Sequence, residues 1–214
     1  MAELLAASHP DALAHAAAVI RRGGIVAVPT ETFYGLAADA THEVATGRIY
    51  EIKGRPADLA LPVVASDLQQ VETLLGPLGA GTMRAAKAFW PGALSLIVAW
   101  TPHLATRVGQ VDAGADDEAA RTVAVRVPGH AFVRDLCARA GTLLTSTSAN
   151  VSGQPPAVTA QAVAAALGDR VDVIVDDGPA PGGRPSTIAD LRGDVPRLLR
   201  DGAIAWERVL ESIR

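Results

Sequence analysis

The sequence predicts an α/β fold, a mixed parallel and antiparallel sheet with flanking helices. Three observations carry that prediction. Short apolar runs alternate with amphipathic stretches through the first two thirds of the chain, and strand-like runs then crowd into the last third. The composition, 49% hydrophobic and 20% charged over 214 residues, is that of a folded chain long enough to bury a core. No repeat, low-complexity tract or linker divides the chain, so residues 1–214 are expected to form one domain with its core at about 10–204.

Taken in order, a first helix is expected from about Pro10 to Arg22, with Ser8 as N-cap and Gly23-Gly24 as its stop. Its apolar stripe is Leu13, Ala16, Ala17 and Ile20. IVAVP (25–29) is apolar throughout and reads as a central strand. A second helix covers about Glu43 to Lys53 and stops at Gly54; LPVVA (61–65) is a strand, and Ser66 caps a helix through Leu75. MRAAKAF is helical, WPG breaks it, and LSLIVAW (94–100) is a strand. Residues 101–121 lose periodicity and carry Asp116-Asp117-Glu118, which reads as an exposed connection, with a carboxylate metal site as the lesser alternative. TVAVRVP (122–128), a helix over 130–140, the strand TLLTS (142–146) and a helix over 159–167 follow. VDVIVDD, STIADL and VPRLLR supply the late strands, and a closing helix starts at about Ala205.

Composition also excludes functions. A net charge of −4 argues against a nonspecific nucleic-acid coat, though not against a local basic pocket. The single cysteine, Cys137, sits in a helical pattern and reads as a buried, inert thiol, so neither a disulfide framework nor dithiol chemistry is expected. The N-terminal stretch has no basic segment ahead of an apolar core, and no apolar run approaches the roughly 20 residues of a membrane span. A cytoplasmic protein is the expectation.

Familiar chemical motifs are missing. There is no G-x-x-x-x-G-K-[ST] loop, no G-x-G-x-x-G after a strand, no HExxH pairing among the five histidines and no G-x-S-x-G elbow. Asn150-Val151-Ser152 has the glycosylation pattern, which matters only to a secreted chain. Polar residues gather instead at the ends of apolar strands, where α/β sheets bind ligands. PTETFYG (29–35) places Thr30, Glu31, Thr32 and Tyr34 on a turn closed by Gly35. KGRP (53–56) can bring Lys53 and Arg55 onto one anion, or else complement a helix C-terminus. LLTSTSAN (143–150), then VSGQPP, can cradle phosphate oxygens, or simply satisfy its own turn. GGRPSTIADL (182–191) with LLRDG (198–202) behind it adds Arg184, Ser186 and Arg200. Arg126 is the sharpest clue: a guanidinium in the apolar strand TVAVRVP needs an anion, from the protein or from a ligand. Thr122 and Arg126 share a strand face, which suits a lined cavity.

The ordered set PTETFYGL, KGRP, FWPGALSLIV, VAVRVP, TSTSANVSGQPP, PSTIADL and RLLRDG, spanning residues 24 to about 204, resembles the YrdC-like family of threonylcarbamoyl-AMP (L-threonylcarbamoyladenylate) synthases, in its short single-domain branch. The resemblance implies a twisted α/β sheet around a large basic cavity. It also implies a nucleotidyltransferase reaction joining L-threonine, bicarbonate or CO2, and ATP into threonylcarbamoyl-adenylate and pyrophosphate. Partner proteins, the threonylcarbamoyl-transferase complex, then modify tRNA. The K-x-R pair falls on Lys53 and Arg55 and the S-x-N pair on Ser148 and Asn150, the implied catalytic and nucleotide-binding group. Thr122, Ser146, Pro156 and Arg200 should also line the ATP site, while Thr30, Arg126 and Ser186 should hold threonine, Arg126 taking its carboxylate. Mg2+ is expected to arrive on the ATP phosphates, since no side-chain motif provides a metal site; the expected state is a monomer or weak dimer.

Two departures from the family pattern stand out. Ala60 replaces a polar residue that can touch threonine, and Asp201-Gly202 replaces Pro-Gly after Arg200, placing a negative charge near the nucleotide end. Two other readings compete with the synthase. One is an RNA-binding or ribosome-maturation module of the same fold, disfavoured by the negative charge and 4% aromatic content. The other is a carbamoyl-adenylate-forming relative that takes carbamoyl phosphate.

Overall fold

Strands from two sheets surround the residues singled out above. The structure is a computed structural model that describes residues 2–56, 59–111 and 121–214. Five strands form one sheet in the order β1 (Glu3–Ala6), β10 (Val173–Asp176), β2 (Val26–Pro29), β3 (Tyr34–Ala37), β9 (Thr147–Ser148). The other has the order β12 (Arg197–Arg200), β11 (Thr187–Asp190), β5 (Leu94–Ala99), β7 (Arg121–Arg126), β4 (Val63–Val64), β8 (Leu144–Thr145), with β6 (Gln110–Val111) also paired to β7. Both mix parallel and antiparallel pairs: β10 runs parallel to β1 and β2 while β3 is antiparallel to β2, and β11 runs parallel to β5 but antiparallel to β12. The mixed α/β class therefore holds, with its strands divided between two sheets.

Period-two alternation buries both faces of the five-stranded sheet. Ile25, Ala27 and Ile174 pack with α2 (Glu43–Lys53) and α6 (Ala160–Leu167), through Ile49, Val163 and Leu167. Val26, Val28, Val173 and Val175 face the other way onto α1 (Ala12–Arg21) and α5 (Ala131–Ala140), meeting Ala16, Ile20, Val133 and Leu136. The second sheet packs Val63, Val98, Val123 and Val125 on Val71 of α3 (Leu68–Leu75), and Leu94, Leu96 and Ala189 on α4 (Ala80–Phe89) and α7 (Trp206–Ser212). Cys137 is fully buried, and desolvation pushes its thiol pKa far above the ordinary value, as expected of an inert side chain.

Several boundaries differ from expectation for local reasons. The first helix starts at Ala12 with Asp11 rather than Ser8 at its N-cap, because residues 3–6 form an edge strand that occupies the preceding chain. Asp67, not Ser66, caps α3 and accepts from Gln70 N at 2.7 Å. PTETFYG is not one turn: Tyr34 and Gly35 already belong to β3, which pairs back onto Pro29 and Val28. Between 101 and 111 the connection is not simply exposed, since Leu104, Ala105 and Val108 are core residues around a short 3-10 turn. The acidic stretch Asp116-Asp117-Glu118 lies outside the described residues.

Candidate active site

The two sheets meet the solvent at a cavity of about 480 Å³. The five-stranded sheet and its turns bring Thr30, Thr32, Tyr34, Gly35, Thr147 and Ser148 to it. The other sheet contributes Val63, Ser95, Arg126, Ser186, Ile188 and Arg200, and Arg55 and Pro156 close the ring. Among the described residues the lining carries three guanidinium groups and many hydroxyls, but no carboxylate. Of the residues expected at a site, Thr30, Arg55, Arg126, Ser146, Ser148, Pro156, Ser186 and Arg200 are brought together here; Lys53, Asn150 and Thr122 are not among the lining residues.

LLTSTSAN is where the chain crosses between sheets. Leu144 and Thr145 pair with β4 in one sheet, Thr147 and Ser148 pair with β3 in the other, and Ser146 between them faces the cavity. The crossing is held by hydroxyls: Thr145 Oγ1 accepts from Ala38 N at 2.9 Å and donates to Leu36 O at 3.2 Å. Its far end is a closed network. Ser148 Oγ donates to Asn150 Oδ1 at 2.5 Å, and Asn150 Nδ2 donates to Gln154 O at 2.5 Å. Beneath it the buried ammonium of Lys53 donates to Ser148 O at 2.5 Å, Asn150 O at 2.9 Å and Asn150 Oδ1 at 3.1 Å. An ammonium has three donors, and all three are used here. Burial, and secondarily the charge of Arg55, pull the Lys53 pKa down to about 8.

Gly54 explains why a K-x-R pair does not converge. It adopts the left-handed conformation that ends α2 (φ 56°, ψ 39°), so Lys53 stays on the inward side of the last helical turn while Arg55 emerges at the cavity. Arg55 Nε and Nη2 each donate at 2.9 Å, to Leu59 O and Ala60 O, two neutral carbonyls.

Arg126 finds its anion within the protein: Nη1 donates to Glu31 Oε1. Burial lowers the Arg126 pKa and the Glu31 charge works against that shift. Ser186 is the meeting point of the remaining groups. Arg200 donates from Nε to its carbonyl at 2.9 Å and from Nη2 to its hydroxyl at 2.8 Å, while Ser95 Oγ lies 3.1 Å from the same hydroxyl. Burial and the nearby charge of Arg126 lower the Arg200 pKa. Gly202 permits this geometry, since a Cβ there would sit 2.4 Å from Pro185 O and Thr187 N. Thr30 lines the cavity, but its hydroxyl organises a turn, donating to Phe33 O at 2.8 Å and lying 3.1 Å from Thr32 Oγ1. Thr122 does share a strand with Arg126, yet it lies four strand steps, about 13 Å, away and is not among the lining residues. The Tyr34 hydroxyl donates away from the expected cluster, to Gly178 O at 2.8 Å.

The Sua5_yciO_yrdC family profile, described as "Telomere recombination", matches residues 18–202. The chain belongs to the Sua5/YciO/YrdC family. A Bacillus subtilis member named threonylcarbamoyl-AMP synthase is 41% identical over 197 residues, 92% of this chain and 55% of its own length. A Vibrio vulnificus member of the same name is 38% identical, across 86% of this chain and 94% of its own. The crystal structure of Pyrococcus abyssi Sua5 complexed with L-threonine superposes with a TM-score of 0.87 at 33% identity, covering all of this chain and 61% of the Sua5 chain. The chain thus spans a little over half the length of the Bacillus and Pyrococcus proteins.

Against the Sua5/YciO/YrdC pattern, both departures have structural answers. Ala60 does not line the cavity; its carbonyl orients Arg55. The charge of Asp201 is taken by an exposed ion pair with Arg184. Ser95 is the hydroxyl in the lining that was not singled out from the sequence. Its signal was available, because a lone hydroxyl inside LSLIVAW poses the same question as Arg126 inside TVAVRVP.

Proposed function

We propose that this member of the family is a threonylcarbamoyl-AMP synthase, which condenses ATP, L-threonine and bicarbonate or CO2 into threonylcarbamoyl-adenylate and pyrophosphate for the threonylcarbamoyladenosine modification of tRNA. The observation that carries the reading is the lining itself: three arginines and a set of hydroxyls around one cavity, with no carboxylate among the described residues. That lining suits a polyanion beside a carboxylate-bearing substrate. The names of the relatives and the threonine complex of the Pyrococcus protein support the same choice.

Arg55, Arg200, Ser146, Ser148 and Pro156 take the nucleotide end in this reading, and Thr30, Arg126 and Ser186 the threonine end. Lys53 and Asn150 act one step back, by holding the Ser148 turn in shape. Threonine's amine adds to CO2 to give a carbamate, a carbamate oxygen attacks the α-phosphorus, and pyrophosphate leaves. No side chain must become a nucleophile; positioning and neutralisation of phosphate charge carry the step. Among the described residues the lining offers no carboxylate to a metal, and Mg2+ in this reading arrives on the triphosphate, where it would add further neutralisation. Among the described residues no helix is long and apolar enough to cross a membrane, and we place the reaction in the cytoplasm with tRNA and the transferase complex downstream.

Pyrophosphate release with each component omitted in turn tests the proposal. Release that needs ATP, threonine and bicarbonate together supports it. Release with carbamoyl phosphate in place of threonine and bicarbonate points to the carbamoyl-adenylate relative, and salt-sensitive RNA binding without turnover points to the RNA module.

A further inference from the structure

Three guanidinium groups line the cavity, and among the described residues only one of them meets a carboxylate. Arg55 donates to the carbonyls of Leu59 and Ala60, and Arg200 to the carbonyl and hydroxyl of Ser186. All four acceptors are neutral. Arg126 alone meets a carboxylate, that of Glu31, the one hydrogen-bond partner of its side chain among the described residues. Glu31 itself does not line the cavity, although Thr30 and Thr32 on either side of it do. It lies behind, against Gly129, where a Cβ would approach its Cγ to 3.4 Å and its Cδ to 3.6 Å. Its second oxygen, Oε2, is buried without a partner. The contact engages a single N–H of Arg126, and among the described residues no other hydrogen bond is made by this cavity-lining guanidinium.

We infer that Glu31 is a specificity-determining residue: by pairing with Arg126 it fixes the guanidinium and balances its charge, so that this end of the cavity accepts the carboxylate of a net-neutral, zwitterionic amino acid and not a phosphate. The inference rests on the function proposed above and adds to it a residue that never touches substrate. Its logic is electrostatic. A carboxylate needs a planar fork, which a held Arg126 still presents. A polyphosphate is drawn by charge that meets no carboxylate, which among the described residues is that of Arg55 and Arg200. Arg200 is close enough to Arg126 for the two charges to oppose each other. Without Glu31 the pair would form a doubly cationic site in which pyrophosphate could replace threonine.

Calorimetric titration of threonine, with and without pyrophosphate, tests this on the wild type, Glu31→Gln and Glu31→Asp. In the wild type, pyrophosphate should leave threonine affinity unchanged. Glu31→Gln, which keeps an acceptor for Arg126 but removes the charge, should lower threonine affinity about tenfold or more and let pyrophosphate displace threonine competitively. Glu31→Asp restores the charge and should restore the exclusion of pyrophosphate. Competitive displacement by pyrophosphate in the wild type overturns the inference, as does a Glu31→Gln protein with wild-type behaviour in both titrations. If that variant does not fold, the wild-type competition and Glu31→Asp decide. Wild-type protein that binds no threonine at all would overturn the functional reading itself, and the inference with it.

Discussion

The ammonium of Lys53 and the amide of Asn150 form one structural unit: Nζ donates to the Asn150 carbonyl at 2.9 Å and to its Oδ1 at 3.1 Å, from a fully enclosed position. Ser148 O completes the set at 2.5 Å, and the chain returns the contact through Ser152 N, which donates to Lys53 O at 2.7 Å. Lys53 thus lies outside the cavity lining and is hydrogen-bonded to the turn that supplies Ser148 to it.

Lys53→Met should accordingly cost stability as well as activity. Three acceptors lose their donor inside the protein, and a loss of about 2–4 kcal/mol is expected from denaturant unfolding. The nucleotide KM should rise in parallel as the Ser148 turn loosens. A surface phosphate ligand would behave differently, with unchanged stability and a defect confined to the nucleotide.

The same residue predicts opposite pH trends for stability and activity. Its pKa is about 8 when folded, against 10.5 for an unperturbed lysine. Between those values the unfolded chain holds the proton and the folded protein does not, so this group's contribution to stability increases with pH across that window. The gain should be absent from Lys53→Met. Deprotonation also removes a donor from the Ser148 and Asn150 turn, so the nucleotide KM should rise above pH 8. Unfolding and kinetic profiles of the two proteins from pH 7 to 10.5 check both signs.

Arg55→Lys should not rescue Arg55→Ala. The fork of Arg55 uses two separate nitrogens on the carbonyls of Leu59 and Ala60, which a single ammonium cannot reproduce. Both variants should raise the ATP KM by roughly 10–100-fold, the equivalent of one lost charge-assisted contact, with little change in the threonine KM. Initial-rate kinetics with each substrate varied separates the two constants.

Gly202→Ala should damage the site through the backbone. The added Cβ would lie 2.4 Å from Pro185 O and Thr187 N and 2.5 Å from Ser186 C, none of which can rotate away. A destabilisation of about 1–3 kcal/mol is expected from thermal unfolding, together with weakened threonine binding as Arg200 separates from Ser186.

Much of this was legible in the chain because it is local. Gly54 and the amphipathic pattern before it place the end of α2 at Lys53, as observed. Arg126 in an apolar strand announced a buried anion. Its identity was not legible, since Glu31 lies 95 positions away and is brought close only by the packing of two sheets. The same holds for LLTSTSAN: its hydroxyls were conspicuous, but that Ser146 marks the passage from one sheet to the other depends on pairings with β3 and β4, both far away in sequence. The edge strand Glu3–Ala6 went unseen because ELLA carries no strand period and pairs with residues 173–176. Lys53 and Arg55 looked like partners by spacing, but with left-handed Gly54 between them only Arg55 lines the cavity.

The most direct test of the proposed activity is mass spectrometry of the adenylate formed from ATP, L-threonine and carbon-13 bicarbonate. The expected product is a threonylcarbamoyl-adenylate heavier by one mass unit than that made from ordinary bicarbonate, and absent when threonine is left out. Turnover of ATP yielding no labelled adenylate, or an adenylate that lacks threonine, would contradict the assignment.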